Sequence, residues 1–238
     1  MIPKVIHYCW FGKGDMPKLA QKCINSWEKY CPDYKIIEWN EQNFDITSNK
    51  YVYEAYQNKK YAFVTDYVRL YVMYKYGGIY MDTDVEVLSS LDIFLNNKAF
   101  SGFETQDYVP TGVMACEKEF ELFGEFLAYY EDKSFVNNDG SLDMTSNVRI
   151  MTNILEKYGL NKNGEFQVIN GFALYPMDYF CPLDNATGRL NKTANTATIH
   201  WFNKSWVDPI KRKRSKITRI FHLLFGKNCF SWLKKVVG

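Results

Sequence analysis

The stretch Gly77-Gly78-Ile79-Tyr80-Met81-Asp82-Thr83-Asp84-Val85 sets two carboxylates two residues apart, directly after a short apolar run. On an extended chain, residues i and i+2 point to one side. Two like charges so close repel, and a hard divalent cation relieves that repulsion by taking oxygen ligands from one or both. Mg2+ or Mn2+ held this way keeps positions open for substrate phosphates. The chemistry suggested is cation-assisted handling of a phosphate-bearing substrate at the mouth of a sheet. Two other chemistries built on paired aspartates fit less well. A haloacid-dehalogenase-type phosphatase calls for Thr or Val two positions after the second Asp, where this chain has Glu86. A polymerase-β-type nucleotidyltransferase calls for a Gly-Ser turn well ahead of the pair, whereas Gly77-Gly78 nearly adjoins it.

Upstream, Asp66 and Arg69 lie three residues apart, one helical step, among Tyr67, Val68, Leu70 and Tyr71. They form either a structural ion pair or a grip on sugar hydroxyls, with the carboxylate accepting and the guanidinium donating. Thr145-Ser146-Asn147 suits a helix N-cap ahead of an amphipathic run. Glu104 and Asp107 follow a predicted strand and are candidates for an acceptor side, with Asn147 beside them.

These residues need elements to hold them. A buried strand is expected over residues 4 to 10, stopped by Gly12 and Gly14. A helix from Met16-Pro17 carries Leu19, Cys23, Ile24 and Trp27 on one face and ends before Pro32. Residues 34 to 39 alternate as a second strand, and residues 41 to 58 read as loop with short helices. Residues 61 to 76 have helical spacing and meet Gly77-Gly78, a favoured C-terminal stop, before the strand Ile79-Tyr80-Met81. Further strands are expected at 99 to 103, 112 to 116, 166 to 169, 172 to 175 and 197 to 201, with helices at 119 to 130 and 147 to 157. Alternating strands and helices over the first 85 residues indicate an α/β sheet.

The 238 residues suit one domain of good size or a domain with an appendage, and 47% hydrophobic with 17% aromatic content argues against a disordered chain. The formal charge of +2 conceals an asymmetry. Residues 209 to 238 hold 9 basic side chains and no acidic one, which leaves the first 208 residues with 20 basic and 27 acidic, a net of −7. In that tail Ile217, Ile220, Phe221, Leu224 and Phe225 recur at helical spacing among Lys216, Arg219 and Lys227. Such a basic amphipathic segment is expected to lie on an anionic membrane surface, and its large apolar groups favour lipid over nucleic acid. The expected division is therefore residues 1–208 as the catalytic domain and 209–238 as the basic segment. Six scattered cysteines without a CxxC pair point to free thiols in a reducing compartment. The N-terminus lacks a signal-peptide pattern and no run of 18 apolar residues occurs. The expected place is the cytoplasm, peripheral on the inner face of the cell membrane.

Three blocks together carry a family resemblance: Val5-Ile6-His7-Tyr8-Cys9-Trp10-Phe11-Gly12; Thr65-Asp66 with Arg69, then Gly77-Gly78-Ile79-Tyr80 with Asp82 and Asp84; and His200 to Ser205-Trp206. In this order the chain resembles glycosyltransferase family 32, the DXD-containing sugar transferases, which include bacterial capsule enzymes and yeast mannosyltransferases. It is similar also to the glucosyltransferase domains of large clostridial toxins. The resemblance implies an α/β GT-A fold, a mixed central sheet flanked by helices, with a nucleotide-sugar donor and retention of anomeric configuration. It implies Asp84 as the direct Mn2+ or Mg2+ ligand, Asp82 on the ribose and sugar side and near the ion, and Asp66 and Arg69 on the donor sugar. Trp10 would stack on the base with Tyr8 and His7 nearby. His200 would approach the metal or diphosphate, and Ser205 and Trp206 the β-phosphate. Where relatives show Gly-Pro after a Thr, this chain has Ser146-Asn147, so capping is the safer role there. The activity expected is transfer of a hexose, of galactose or glucose type, from a UDP-sugar to a saccharide acceptor, lipid-linked, in capsular or surface polysaccharide synthesis. The rivals are a GDP-mannose-dependent mannosyltransferase, a non-catalytic nucleotide or carbohydrate binder, and a nucleic-acid module working through the tail.

Overall fold

The computed structural model describes residues 1–110, 112–203, 218–226 and 229. Between residues 1 and 203 the described elements are, in order, β1 (Val5–Cys9), α1 (Lys18–Tyr30), β2 (Lys35–Trp39), α2 (Lys50–Gln57), α3 (Tyr61–Tyr76), β3 (Gly78–Met81), β4 (Val85–Val87), β5 (Ala99–Gly102), β6 (Val113–Cys116), α4 (Glu121–Ala128), α5 (Asn147–Lys157), β7 (Gln167–Ile169), β8 (Phe172–Tyr175), α6 (Met177–Phe180) and β9 (Thr198–His200). Seven strands form one sheet in the order β2-β1-β3-β6-β5-β8-β7, and β4 pairs with β9 in a separate two-stranded sheet. β1 runs parallel to β2 and β3, while β6 is antiparallel to β3 and β5. This mixed sheet flanked by helices is the architecture expected of a GT-A fold.

Both faces of the sheet are covered, so the central strands β3 and β6 are apolar along their length and alternate in which core they feed. On β3, Ile79 and Met81 enter the core that holds Trp27, Phe94 and Phe180, whereas Tyr80 enters the opposite core with Val64, Val68 and Phe123. Helix α3 explains its own apolar character: it buries Phe63, Val64, Val68, Leu70, Val72 and Met73, with Asp66 and Arg69 buried among them. The elements missed by sequence reading are β4, α6 and a 3-10 turn at Asp92–Phe94, all too short to show a period.

The chain reverses from α3 into β3 through Gly77 and Gly78, at φ 66° and 105°. A Cβ on Gly78 would lie 2.6 Å from the Val5 carbonyl oxygen and 3.2 Å from His7 Nε2, so β1 comes against bare backbone here. His7 completes the join. Trp39 Nε1 donates to its Nδ1 at 3.0 Å, which leaves Nε2 protonated to donate to the Gly77 carbonyl at 3.0 Å. Burial pushes the His7 pKa down to about 4, so the ring stays neutral.

The described part of the tail, residues 218–225, is helical. Arg219 ties it to the globule, donating to the Asn185 backbone carbonyl at 3.2 Å and to its Oδ1 at 3.0 Å. Ile220, Phe221, Leu223, Leu224 and Phe225 are all exposed. The expected boundary at 208/209 falls outside the described residues. Among them, no helix is long and apolar enough to cross a membrane.

Gly78→Ala is expected to lower stability by about 3 kcal/mol, from the left-handed backbone and the clash with β1. A denaturant midpoint equal to that of the wild type would show that the close approach is not needed.

Candidate metal and donor site

β3 delivers Asp82 at the edge of the sheet, and the chain turns at once, with the Asp82 carbonyl accepting the Val85 N–H at 2.9 Å. The two aspartates therefore sit on a tight turn and not on extended chain as the spacing predicted. Their carboxylates still converge, because a third element closes on them. β9 pairs antiparallel with β4, with His200 opposite Val85. His200 Nε2 lies 3.2 Å from Asp84 Oδ1 and 4.0 Å from Asp82 Oδ2.

Helix α1 fixes the position of β4. Trp27, wholly buried, donates through Nε1 to the Val85 carbonyl at 2.8 Å, and Ser26 Oγ accepts the Val87 N–H at 2.9 Å. On the other edge Trp201 donates from its backbone to the Asp84 carbonyl at 3.0 Å and from Nε1 to Glu86 at 2.9 Å. Phe202 adopts φ 51°, uncommon for a non-glycine residue, and stacks on the His200 ring with centroids 4.2 Å apart. The Asn203 N–H then donates to Asp84 Oδ2 at 2.7 Å. Gly112 makes room for the histidine: a Cβ there would sit 2.9 Å from His200 Cε1 and Nδ1.

Beneath this turn lies a buried cation. Arg69 reaches Asp82 Oδ1 at 3.2 Å and Asp66 Oδ1 at 3.3 Å, and its guanidinium sits 4.7 Å over the Tyr80 ring. Tyr80 adds a hydrogen bond from its hydroxyl to Asp82 Oδ1 at 3.0 Å. Asp82 thus has one oxygen engaged below and the other facing His200. The second oxygen of Asp66 accepts the Asn147 N–H at the start of α5, 3.4 Å away, and the Asn147 side chain donates to the Asp66 carbonyl at 3.0 Å. The expected cap from Ser146 is not made: its side chain forms no capping bond, and the carboxylate from α3 serves that end of α5.

The electrostatics follow from these contacts. Burial opposes charge on Asp84, yet His200 and the Asn203 amide outweigh it and hold its carboxyl below the usual range. Burial likewise opposes charge on His200, and Asp84 reverses this, so its pKa stands well above the ordinary value. Burial dominates at Asp66 and pushes its pKa up to about 6 despite Arg69. Asp82, Asp84 and His200 each present a ligand atom within 4.8 Å of one another. Two carboxylate oxygens and an imidazole nitrogen form a donor set that suits Mn2+ or Mg2+, so these residues fit the implied ion.

Other predicted site residues are placed as follows. Trp10 is half-buried, with its indole N–H held by the Gly14 carbonyl at 2.7 Å. Tyr8 is buried edge-on to Trp27, and its hydroxyl donates to Glu38 at 2.7 Å. His7 is 1% exposed and both ring nitrogens serve Trp39 and Gly77, so the ring is taken up by the frame of the sheet. Glu104 is half-buried just past β5, and Asp107 lies exposed in the following turn. Asn147 is buried against Asp66. Ser205 and Trp206 lie outside the described residues. Sequence reading missed Gly112 and Asn203, which lie against His200 and Asp84. A glycine heading a predicted strand was the one signal available for either of them.

Asp66 gives a pH signature. Its folded pKa of about 6 exceeds the unfolded value, so the stability it contributes is complete below about pH 4 and is lost as pH rises through about 6. The stability of Asp66→Asn relative to wild type is expected to rise by about 2–3 kcal/mol between about pH 4 and about pH 7. Chemical denaturation across that range reads it, and a pH-independent difference would refute it.

Residues 17–101 match a family model described as the glycosyltransferase sugar-binding region containing the DXD motif. The chain is 30% identical over 125 residues to inositol phosphoceramide mannosyltransferase 3 of Schizosaccharomyces pombe, an overlap of 49% of this chain and 34% of that one. It is 32% identical over 108 residues to the mannosyl phosphorylinositol ceramide synthase SUR1 of Saccharomyces cerevisiae, covering 42% of this chain and 27% of that one. The overlaps thus span about a third or less of the length of these relatives. Among solved structures, the glycosyltransferase GlyE of Streptococcus pneumoniae superposes with a TM-score of 0.49 at 11% identity, covering 100% of this chain and 64% of that one. The matched region runs from the start of α1 into β5 and contains Asp66, Arg69, Asp82 and Asp84, and over it the chain is similar to the DXD-containing sugar-binding region of glycosyltransferases.

Proposed function

We propose that the chain is a metal-dependent, retaining hexosyltransferase that uses a nucleotide-diphosphate sugar as donor and a saccharide as acceptor. The observation that carries this reading is the convergence of Asp82, Asp84 and His200 from elements far apart in sequence. Asp84 and His200, with the free oxygen of Asp82, would hold Mn2+ or Mg2+. When bound, the ion neutralises the charge that gathers on the departing nucleoside diphosphate. Arg69 holds Asp82 in place from below and keeps one of its oxygens turned away. Asp66 and Arg69 would support the donor-sugar side of the turn from beneath, and Trp10, just past the end of β1, would be the platform for the base. Asp66, Asp82 and Asp84 are all engaged, which favours departure and attack on one face of the sugar with the diphosphate taking the acceptor proton. A glycosyl-enzyme trapped on Glu104 or Asp107 would overturn that mechanism.

Two donors compete. The acidic pair with an aromatic base platform is compatible with a UDP-hexose of galactose or glucose type. The mannosyl names of both yeast relatives favour GDP-mannose. A donor panel with Mn2+, read by nucleoside diphosphate release, separates them. Asp84→Ala is expected to lower release with the preferred donor about 100-fold or more. Unchanged release would remove the metal assignment.

The acceptor we propose is lipid-linked, within capsular or surface polysaccharide synthesis on the cytoplasmic face of the membrane. The supporting observations are the basic composition of residues 209–238 and the exposed Ile220, Phe221, Leu223, Leu224 and Phe225 beside Arg219. Apolar side chains enter the acyl boundary while lysines and arginines meet anionic headgroups. Leu224→Asp with Phe225→Asp is expected to reduce co-sedimentation with phosphatidylglycerol vesicles at least about tenfold. Retained vesicle binding, or tighter binding to RNA than to vesicles, would overturn the membrane reading.

A further inference from the structure

The Asp84 carboxylate is held from two sides. His200 Nε2 lies 3.2 Å from its Oδ1, and the Asn203 N–H donates to its Oδ2 at 2.7 Å. That amide arrives by way of Phe202, whose backbone stands at φ 51°. A left-handed backbone on a residue other than glycine persists only where its surroundings fix it. On one side the Phe202 ring stacks on His200. On the other, Trp201 is tied twice: its backbone N–H donates to the Asp84 carbonyl at 3.0 Å and its indole N–H to Glu86 Oε2 at 2.9 Å.

Glu86 is itself held in place. On β4, Val85 and Val87 are buried in the core, and Glu86 between them turns to the other face. It pairs opposite Ile199 of β9, which sets Trp201, just past that strand, diagonally across from it on the same face. The Glu86 side chain is 16% exposed, and Lys22 of α1 donates to the same Oε2 at 2.9 Å. The Lys22 ammonium also lies 5.4 Å over the Trp201 ring. Carboxylate, ammonium and indole thus close a triangle at the edge of the small sheet. One helical turn further on, Ser26 and Trp27 pin the backbone of the same strand from its buried side.

We propose that Glu86 is a positioning residue for the metal site: by holding the Trp201 indole it fixes the turn at Phe202, sets the Asn203 N–H on Asp84 Oδ2 and leaves Oδ1 turned to His200. It acts through Trp201 and supplies no ligand of its own. An indole N–H can only donate, and a charged acceptor mostly withdrawn from water makes the stronger kind of hydrogen bond to it. Lys22 pairs the charge that this arrangement takes out of solvent. The role rests on the reading of Asp82, Asp84 and His200 as metal ligands, whose orientation depends on the outer groups that hold them.

The test compares three variants of the full chain. Glu86→Gln keeps an acceptor oxygen for the indole, Glu86→Ala removes it, and Trp201→Phe keeps a ring in place without the donor. In 15N-labelled protein free of metal, hydrogen exchange of the Asn203 amide is expected to be at least about tenfold faster than wild type in Glu86→Ala and Trp201→Phe, and within about threefold of it in Glu86→Gln. Mn2+ binding, followed by electron paramagnetic resonance, is expected to weaken roughly tenfold in Glu86→Ala and Trp201→Phe and to stay within about threefold of wild type in Glu86→Gln. Wild-type Asn203 exchange or wild-type Mn2+ affinity in Trp201→Phe, or equal losses in Glu86→Gln and Glu86→Ala, would overturn the positioning role while leaving the metal site intact. Failure of the wild type to bind Mn2+, with Asp84→Ala as control, would overturn the metal reading and this role with it.

Discussion

One buried cation organises the site. Arg69 is 5% exposed and stands between Asp66 and Asp82, with the face of Tyr80 against it. A guanidinium in that position satisfies two desolvated carboxylates in opposite directions. Removing one member of such a group leaves an uncompensated charge in low dielectric, which is far worse than never having the group. The arrangement therefore locks three elements together: α3 supplies Asp66 and Arg69, β3 supplies Asp82, and α5 begins on the remaining oxygen of Asp66. A helix N-terminus carries partial positive charge, so the buried carboxylate is flanked by two favourable partners, yet it still resists ionisation.

Above that cation the chemistry changes sign. Asp82 and Asp84 face each other and His200 across a space that favours positive charge, while the packing around them is apolar. The turn stays where it is because hydrogen bonds hold both its backbone and the Asp84 carboxylate. Trp27 and Ser26 from α1 hold β4, and Trp201 and Asn203 hold the Asp84 residue from the other side. The converging carboxylates and imidazole are thus carried on backbone held by hydrogen bonds. Pre-set geometry of this kind lets an ion meet its ligands without a large reorganisation.

Local signals carried much of this architecture. Helix α3 and the Gly77-Gly78 stop are visible in spacing and composition, and the periodicity gave both ends of α3 and of α5. The DXD pair was legible because it follows a strand and two glycines. The roles of Arg69 and His7 were not, since a sequence does not say whether a buried charge or ring serves a ligand or its own neighbours. His7 lies in a motif block and still turns out to be part of the frame. The short β4 has no period to read, and without it the pairing that brings in His200 is invisible. Gly112 matters through its contact with residue 200, separated from it in sequence by a long stretch of unrelated chain.

That pairing has a consequence for how the molecule comes together. The indole of Trp201 reaches Glu86 across 115 residues of sequence, and the group of Asp82, Asp84 and His200 spans nearly the same interval. Loop-closure entropy makes so distant a contact slow to form, even though lengthening the loop adds only logarithmically to its free energy. During synthesis, the acidic turn is complete long before its histidine leaves the ribosome. The early chain thus offers an ion two carboxylates and little else, and the full chelate appears only with the closing strand. Any affinity the finished triad has for an ion is then affinity for the closed chain, and the ion stabilises the last pairing to be made.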